Sequence, residues 1–303
     1  MKKLIVFLLF IFSVSFSFAD ETIKHKMLLL DESRGQLLYV DESDSSKNWI
    51  YTEPDGKSRV WDMQLIGGNK LLIAATDFGG YREIDLKTRK IVKEVIDAKY
   101  KPTRSAVRLP DGRTVLGIDK KSSQIAVFDK DGKETKFIDR KDTHGIRLLR
   151  RTPRNTLLFG GQNDIYEITL DGEELRRVTV PNARYNYQTI ELPNGHWLTV
   201  SGYGCQMLEL DKDGKVLKTF GGNPPPSGLW YLFYSKFQPL PNGHIVLATW
   251  TGHGAKDSDK GQQLVEFDAD GKIVWTWHDP KLAGSLNGVI VLDHLDPEKF
   301  SEE

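Results

Sequence analysis

One short turn recurs along this chain, and a chain punctuated in that way folds as a stack or ring of like units. Asp55-Gly56-Lys57, Asp131-Gly132-Lys133, Asp171-Gly172-Glu173, Asp213-Gly214-Lys215 and Asp270-Gly271-Lys272 occupy one equivalent place, and Leu86-Lys87-Thr88-Arg89 fills the slot left between the first two. The slots lie roughly 40 residues apart, which is the period of a propeller blade. A second turn marks each unit, as Ile66-Gly67-Gly68-Asn69, Leu109-Pro110-Asp111-Gly112, Thr152-Pro153-Arg154-Asn155, Leu192-Pro193-Asn194-Gly195 and Leu240-Pro241-Asn242-Gly243. Asn-Gly and Asp-Gly tolerate the positive φ of tight hairpins. Between the turns lie short β-branched and aromatic runs with little helical periodicity, so the chain reads as all-β.

Each unit then holds four strands, with tight turns after the first and third. Five units fit, over about 58–97, 103–139, 143–180, 183–221 and 230–279. Three strands remain at the start (His25–Asp31, Gln36–Asp41, Asn48–Thr52) and one at the end (Gly288–His294). Three and one complete a sixth blade. The expected architecture is a six-bladed β-propeller of four-stranded antiparallel blades, closed where the C-terminal strand joins the N-terminal blade. Closure removes open sheet edges. An open β-solenoid is the alternative, and it leaves the lone last strand unexplained.

Lys2 and Lys3, the apolar run Leu4–Phe12 and the small residues around Ser17-Phe18-Ala19 form the pattern of a secretory signal peptide, with cleavage before Asp20. The expected division is residues 1–19 as signal and 20–303 as one propeller domain, secreted or periplasmic, with no membrane association after cleavage. A single cysteine, Cys205, rules out an intrachain disulfide and reads as a small packed residue. The chain has 42 basic and 42 acidic residues, a balance that argues against a nucleic-acid partner. No His-Glu-x-x-His pair or Cys-His cluster signals a metal. No Gly-x-Ser-x-Gly elbow signals a serine nucleophile.

In an up-and-down meander the stereotyped turns share one face, and the loops of variable length share the other. Loops that depart from a repeat carry binding. Such loops are Gly221–Trp230 and Thr251–Gly261. The first strand of each blade lines the channel, so its start brings Trp61, Asp62, Arg104, Arg147, Tyr185, Asn186, Tyr234 and Lys236 towards the variable mouth, joined by Tyr203 and Trp230 from the loops. Aromatic faces and planar donors suit sugar rings, and arginines suit carboxylates or sulfates. His144 and His253 are the candidates for acid–base work, because histidine titrates near neutrality. His196 and His244 follow Asn-Gly turns and read as structural.

The runs Glu266-Phe267-Asp268-Ala269-Asp270-Gly271-Lys272-Ile273-Val274-Trp275 and Glu209-Leu210-Asp211-Lys212-Asp213-Gly214-Lys215-Val216-Leu217 resemble the quinoprotein-like (PQQ-like) β-propeller repeats. The Leu-Pro-Asn-Gly-His turns also look like those of arylsulfotransferase-type six-bladed propellers. The resemblance covers nearly all of the mature chain, implies a propeller and carries no catalytic residue over. Only the last unit has the Asp-Gly-Lys-x-x-Trp ending, so pyrroloquinoline quinone is not expected and no other cofactor is called for. The expected function is binding of a small molecule or glycan, anionic in one form of the reading, at the channel mouth by a monomer. Two alternatives stand beside it: an enzyme acting on polysaccharides or sulfate esters through a mouth histidine, and a protein-interaction scaffold.

Overall fold

The computed structural model describes residues 22–56, 58–222, 224–226, 229–254 and 256–301, so the signal-peptide reading lies outside the described residues. The first three strands are β1 (Lys26–Asp31), β2 (Gln36–Asp41) and β3 (Trp49–Thr52). Blade one holds β4–β7 (Val60–Leu65, Lys70–Ala75, Gly80–Asp85, Lys90–Ile96) and blade two β8–β11 (Thr103–Arg108, Thr114–Asp119, Ser123–Phe128, Glu134–Arg140). Blade three holds β12–β15 (Leu149–Arg151, Leu157–Gly160, Asp164–Ile168, Glu174–Thr179) and blade four β16–β19 (Asn186–Glu191, Trp197–Ser201, Gln206–Leu210, Val216–Gly221). Blade five holds β20–β23 (Phe233–Pro239, Ile245–Trp250, Leu264–Phe267, Ile273–Trp277), and β24 (Leu286–Val291) is the last strand. The sixth sheet has the order β24-β1-β2-β3, so both ends of the chain close one blade and the protein is a six-bladed β-propeller.

The turn chemistry explains the repeat. Asp129, Asp211 and Asp268 each accept the backbone N–H two residues on and four residues on, at 2.9–3.0 Å. Thr169 does the same in blade three. In these blades the residue that pins the third–fourth hairpin is therefore the one two positions before the Asp-Gly pair. In the closing blade Asp55-Gly56 does not occupy the equivalent place, because it follows β3, the fourth strand. The β2–β3 connection is held instead by Asp41, which accepts from Ser43 N and Asp44 N. In blade one Asp85 takes the role by accepting from Thr88 N at 2.6 Å, and Arg89 adopts the positive φ of 58° that glycine supplies elsewhere.

Burial grades outward along each blade. The second strands β5 and β21 are nearly or wholly buried on both faces, whereas the outermost β7 alternates exposed and half-buried. Six apolar clusters fill the six blade–blade interfaces; Leu72, Tyr81, Leu116 and Phe128 form one between blades one and two. Trp277 packs between blades five and six with Trp275 beside it.

The last strand is Leu286–Val291, where the sequence pattern places Gly288–His294. The difference has a cause. After Val291 the chain turns, with Leu295 N donating to Leu292 O, and crosses the face of stereotyped turns. There Gly68 N and Asn69 N donate to Glu298 O and Pro297 O, and Ile66 bridges Phe300.

Closure is reinforced by charge. His25, 6% exposed, sets Nδ1 2.6 Å from Asp293 Oδ2 and Nε2 2.9 Å from Glu266 Oε2, with Trp275 edge-on at 4.7 Å. Its backbone N–H donates to Glu42. Carboxylates only accept, so this geometry suits an imidazolium donating from both nitrogens. Burial opposes that charge, yet the hydrogen bonds that His25 makes to Glu266 and Asp293 prevail and raise the histidine above its ordinary 6.5. Glu266, which also meets His244 Nδ1 at 2.6 Å, is lowered despite burial. A group raised on folding contributes fully below its unfolded value and loses that contribution as pH rises through its folded one. The urea midpoint of the wild type should therefore fall more between pH 6 and 9 than that of His25→Asn. Parallel pH profiles for the two proteins would show that His25 carries no such charge.

Candidate ligand site at the channel mouth

Five of the six innermost strands break register in the same stretch. The partners slip between Val60 and Met63 in β4, Thr103 and Ser105 in β8, Asn186 and Thr189 in β16, and Tyr234 and Phe237 in β20, and opposite Leu30/Asp31 in β24. A bulge leaves extra residues unpaired and re-aims their side chains. The residues released here are Trp61 and Asp62, Arg104, Tyr187 and Gln188, Ser235 and Lys236, and Asn287. Of these, Trp61, Tyr187, Ser235 and Asn287 line the cavity at the mouth.

Halfway down, Asp62 is fully buried and clasped by Arg150, with Oδ1–Nη2 2.8 Å and Oδ2–Nη1 2.9 Å. Ser105 Oγ donates to the same carboxylate at 2.6 Å. Lys236, also fully buried, donates from Nζ to Met63 O at 2.7 Å, across the channel. These groups fasten blades one, two, three and five to one another beneath the mouth.

Above them, on the face of variable loops, opens a cavity of about 240 Å³. Six aromatic residues line it: Trp61, Tyr185, Tyr187, Tyr203, Phe233 and Trp250. The polar residues are Glu32, Arg147, Ser235, His253 and Asn287. The rings meet edge to face in series, Tyr185–Tyr203 at 6.0 Å, Tyr203–Phe233 at 4.8 Å, Phe233–Trp250 at 6.1 Å and Trp250–His253 at 4.5 Å. Tyr185 holds a positive φ of 68°, a strained state for a bulky residue of the kind that clusters at functional sites.

The two ends of this wall carry opposite charge. At one end Arg147 lies over the Tyr185 ring at 4.8 Å and Arg104 over the Trp61 indole at 3.8 Å. Both share one carboxylate, Asp119 Oδ2, at 2.6 Å from Arg147 Nη1 and 3.4 Å from Arg104 Nε. Burial, and next the charge of Arg147, depress the Arg104 guanidinium below its ordinary value. At the other end Glu32, 5% exposed, accepts from Trp250 Nε1 at 3.1 Å and faces His253 Nδ1 at 3.2 Å and Arg59 Nη1 at 3.5 Å. Burial raises the Tyr187 phenol, so it stays protonated at neutral pH.

Of the residues read from sequence, Trp61, Arg147, Tyr185, Tyr203 and His253 line this cavity, with Arg104 stacked on Trp61. Asp62 and Lys236 lie deeper in the channel, committed to the contacts above. Tyr234 belongs to the blade core beside Tyr231 at 4.9 Å, with its phenol raised by burial. Asn186 is fully buried, and neither amide atom has a hydrogen-bond partner. Trp230 is 38% exposed, with Lys260 Nζ 5.7 Å from its ring centroid, and His144 is exposed; neither lines the cavity. His196 and His244 pair with Glu209 and Glu266 on the opposite face, and Cys205 is buried, with its thiol pushed up to about 11 by burial. Sequence reasoning missed Glu32 and Asp119. Their signal is positional: each acid closes, or directly follows, the second strand of its blade.

A larger cavity of about 500 Å³ opens at the other mouth. Its walls are the repeated Leu-Pro turns and the C-terminal segment as far as Ser301. Of its three arginines, Arg108 and Arg150 are bound to Glu83 and Asp62. That cavity is built from scaffold residues, so the variable-face mouth is the better candidate site. Among the described residues no group of three His, Cys, Asp or Glu side chains is placed to hold a metal ion.

No family model and no curated protein matches the chain. Solved structures do share its fold. A protein of unknown function from Bacteroides caccae is 18% identical with a TM-score of 0.75, covering 90% of this chain and 100% of its own. A catalytically inactive virginiamycin B lyase from Staphylococcus aureus, with quinupristin, is 12% identical with a TM-score of 0.60, covering 86% of each chain. The nidogen/laminin complex supplies a third, 12% identical with a TM-score of 0.65, covering 88% and 98%. At these identities the likeness establishes the propeller fold alone.

The buried clasp gives a direct expectation. Asp62→Asn removes the charge of the carboxylate that clasps Arg150 in the channel and should cost about 3 kcal/mol of unfolding free energy. Chemical denaturation checks this, and a loss below about 1 kcal/mol would show that water already screens the pair.

Proposed function

We propose that the variable-face mouth binds a small molecule or sugar bearing an anionic group. The ring of the ligand packs against Trp61, Tyr203 and Phe233, and its anion pairs with Arg147. One observation carries this reading: two arginines, each stacked on an aromatic ring, share the single carboxylate of Asp119 beside the cavity. One carboxylate offsets one guanidinium, so the pair retains a positive charge in a partly desolvated setting, where charge-assisted hydrogen bonds are strong. The cavity volume suits one ring, and aromatic walls bind sugar or aryl faces without demanding charge.

The test is a thermal-shift panel of hexuronates, sulfated monosaccharides and aryl carboxylates, followed by calorimetry on the best binder. Arg147→Ala should weaken that binder about tenfold or more, the size of one hydrogen bond to a charged group. A neutral sugar of the same size should bind more weakly than its acid. Equal affinity of wild type and Arg147→Ala, or equal binding of the neutral analogue, would contradict the reading.

A second reading, an enzyme, is favoured by the His253–Glu32 pair. A neutral imidazole that donates from Nδ1 to Glu32 leaves Nε2 free to accept a proton, the arrangement a general base needs. It predicts that His253→Ala retains binding of the best anion but loses turnover of a glycoside or ester of it. Turnover unaffected by that substitution removes the reading.

A further inference from the structure

Two polar groups on the cavity wall lack partners. Trp61 Nε1 is a buried donor and Asn287 Oδ1 a buried acceptor, and neither makes a hydrogen bond. Asn287 is 4% exposed, and its Nδ2 reaches Val60 O at 3.4 Å. Buried polar atoms left unmatched cost free energy unless water or a ligand meets them. A hydroxylated ring offers both an acceptor and a donor at short spacing; a bare aryl ring offers neither.

The rim beyond the cavity is not electrically uniform. On the side of blades two to four the variable loops carry Lys101, Lys120, Lys121 and Arg184, all exposed. Lys121 and Arg184 make no ion pair with a carboxylate among the described residues, Lys101 makes none but lies within electrostatic reach of Asp77, and Lys120 spends its Nζ on Lys99 O. The acids nearby are engaged: Asp97 caps a turn at Lys99 N, Asp119 holds Arg104 and Arg147, and Asp142 holds Arg140 and Arg177. On the side of blades five, six and one Arg59 is paired with Asp77 and Glu32, and Lys260 with Asp257. A row of cations outside any ion pair therefore lies on the loops of blades two to four, beside the Arg147 end of the cavity.

From this we infer that the ligand is an acidic oligosaccharide, with one sugar in the cavity and the chain leaving over blades two to four along Lys121, Lys101 and Arg184. The inference rests on the cavity reading above and adds the ligand class and its direction. Carboxylate and sulfate chains share the required chemistry. A nucleic acid is disfavoured, because the row is short and the unpartnered wall groups match hydroxyls.

The experiment compares galacturonic acid with tri-galacturonate, and sulfated glucosamine with a sulfated heparin trisaccharide, by calorimetry. Maltotriose and pentathymidylate serve as controls. The proteins are wild type, Arg147→Ala and the exposed double variant Lys101→Glu/Lys121→Glu. One acidic trisaccharide should bind about tenfold tighter than its monosaccharide, the sum expected of a few exposed ion pairs. The double variant should lose that gain while holding the monosaccharide within about twofold. A gain with tri-galacturonate identifies carboxylate as a group read, and a gain confined to the heparin trisaccharide, which bears both groups, identifies sulfate. A trisaccharide no tighter than its monosaccharide, a gain that survives the double variant, or maltotriose or pentathymidylate binding as well as the acid overturns the inference. With monosaccharide binding and its Arg147 dependence intact, those results leave the cavity reading standing. Absence of monosaccharide binding, or binding indifferent to Arg147→Ala, removes both.

Discussion

The antiparallel pairing of β24 with β1 is the contact on which the rest depends. It joins residues some 260 positions apart, Met27 with Val291 and Leu28 with Ile290, and turns a row of five blades into a ring. Without it two sheet edges would be open, and the channel would have no sixth wall. The closing blade also supplies Glu32 and Asn287, so the site is incomplete until both ends of the chain have met. The His25 contacts to Glu266 and Asp293 lie at that seam and tie it to blade five.

The ring alone would give a channel lined according to strict strand alternation. What makes a site is the local failure of that alternation in the innermost strands. The bulges release Trp61, Arg104, Tyr187, Lys236 and Asn287 into a space where a regular strand would have placed every second residue. The released groups then sort by depth. Asp62, Arg150 and Lys236 satisfy one another or the backbone and act as struts, while the aromatic residues and Arg147 stay at the cavity.

This division explains what the sequence disclosed. Blade number, blade limits, the closing blade and the identity of the variable face were legible because turns are written locally, in residues such as Asp211 and Asn194 that bond their own neighbours. Trp61, Arg147, Tyr185, Tyr203 and His253 were legible as mouth residues from their place after variable loops. Side-chain direction across a bulge was not. Tyr234 and Lys236 are two residues apart and would share a face in a regular strand. The slip between Tyr234 and Phe237 instead sends Tyr234 into the core and Lys236 across the channel. Glu32 and Asp119 escaped notice because their importance lies in partners more than 200 positions away, for Trp250 and His253, or 28 away, for Arg147.

The central claim is that the variable-face mouth, and not the larger opposite cavity, receives an anionic ring. A crystal structure of the protein soaked with galacturonic acid or a sulfated monosaccharide tests it most directly. The account predicts ring density between Trp61 and Tyr203, with the acid group within hydrogen-bond distance of Arg147 and a hydroxyl on Asn287 Oδ1. Density confined to the opposite mouth, among Leu192, Leu240 and Leu295, would contradict it.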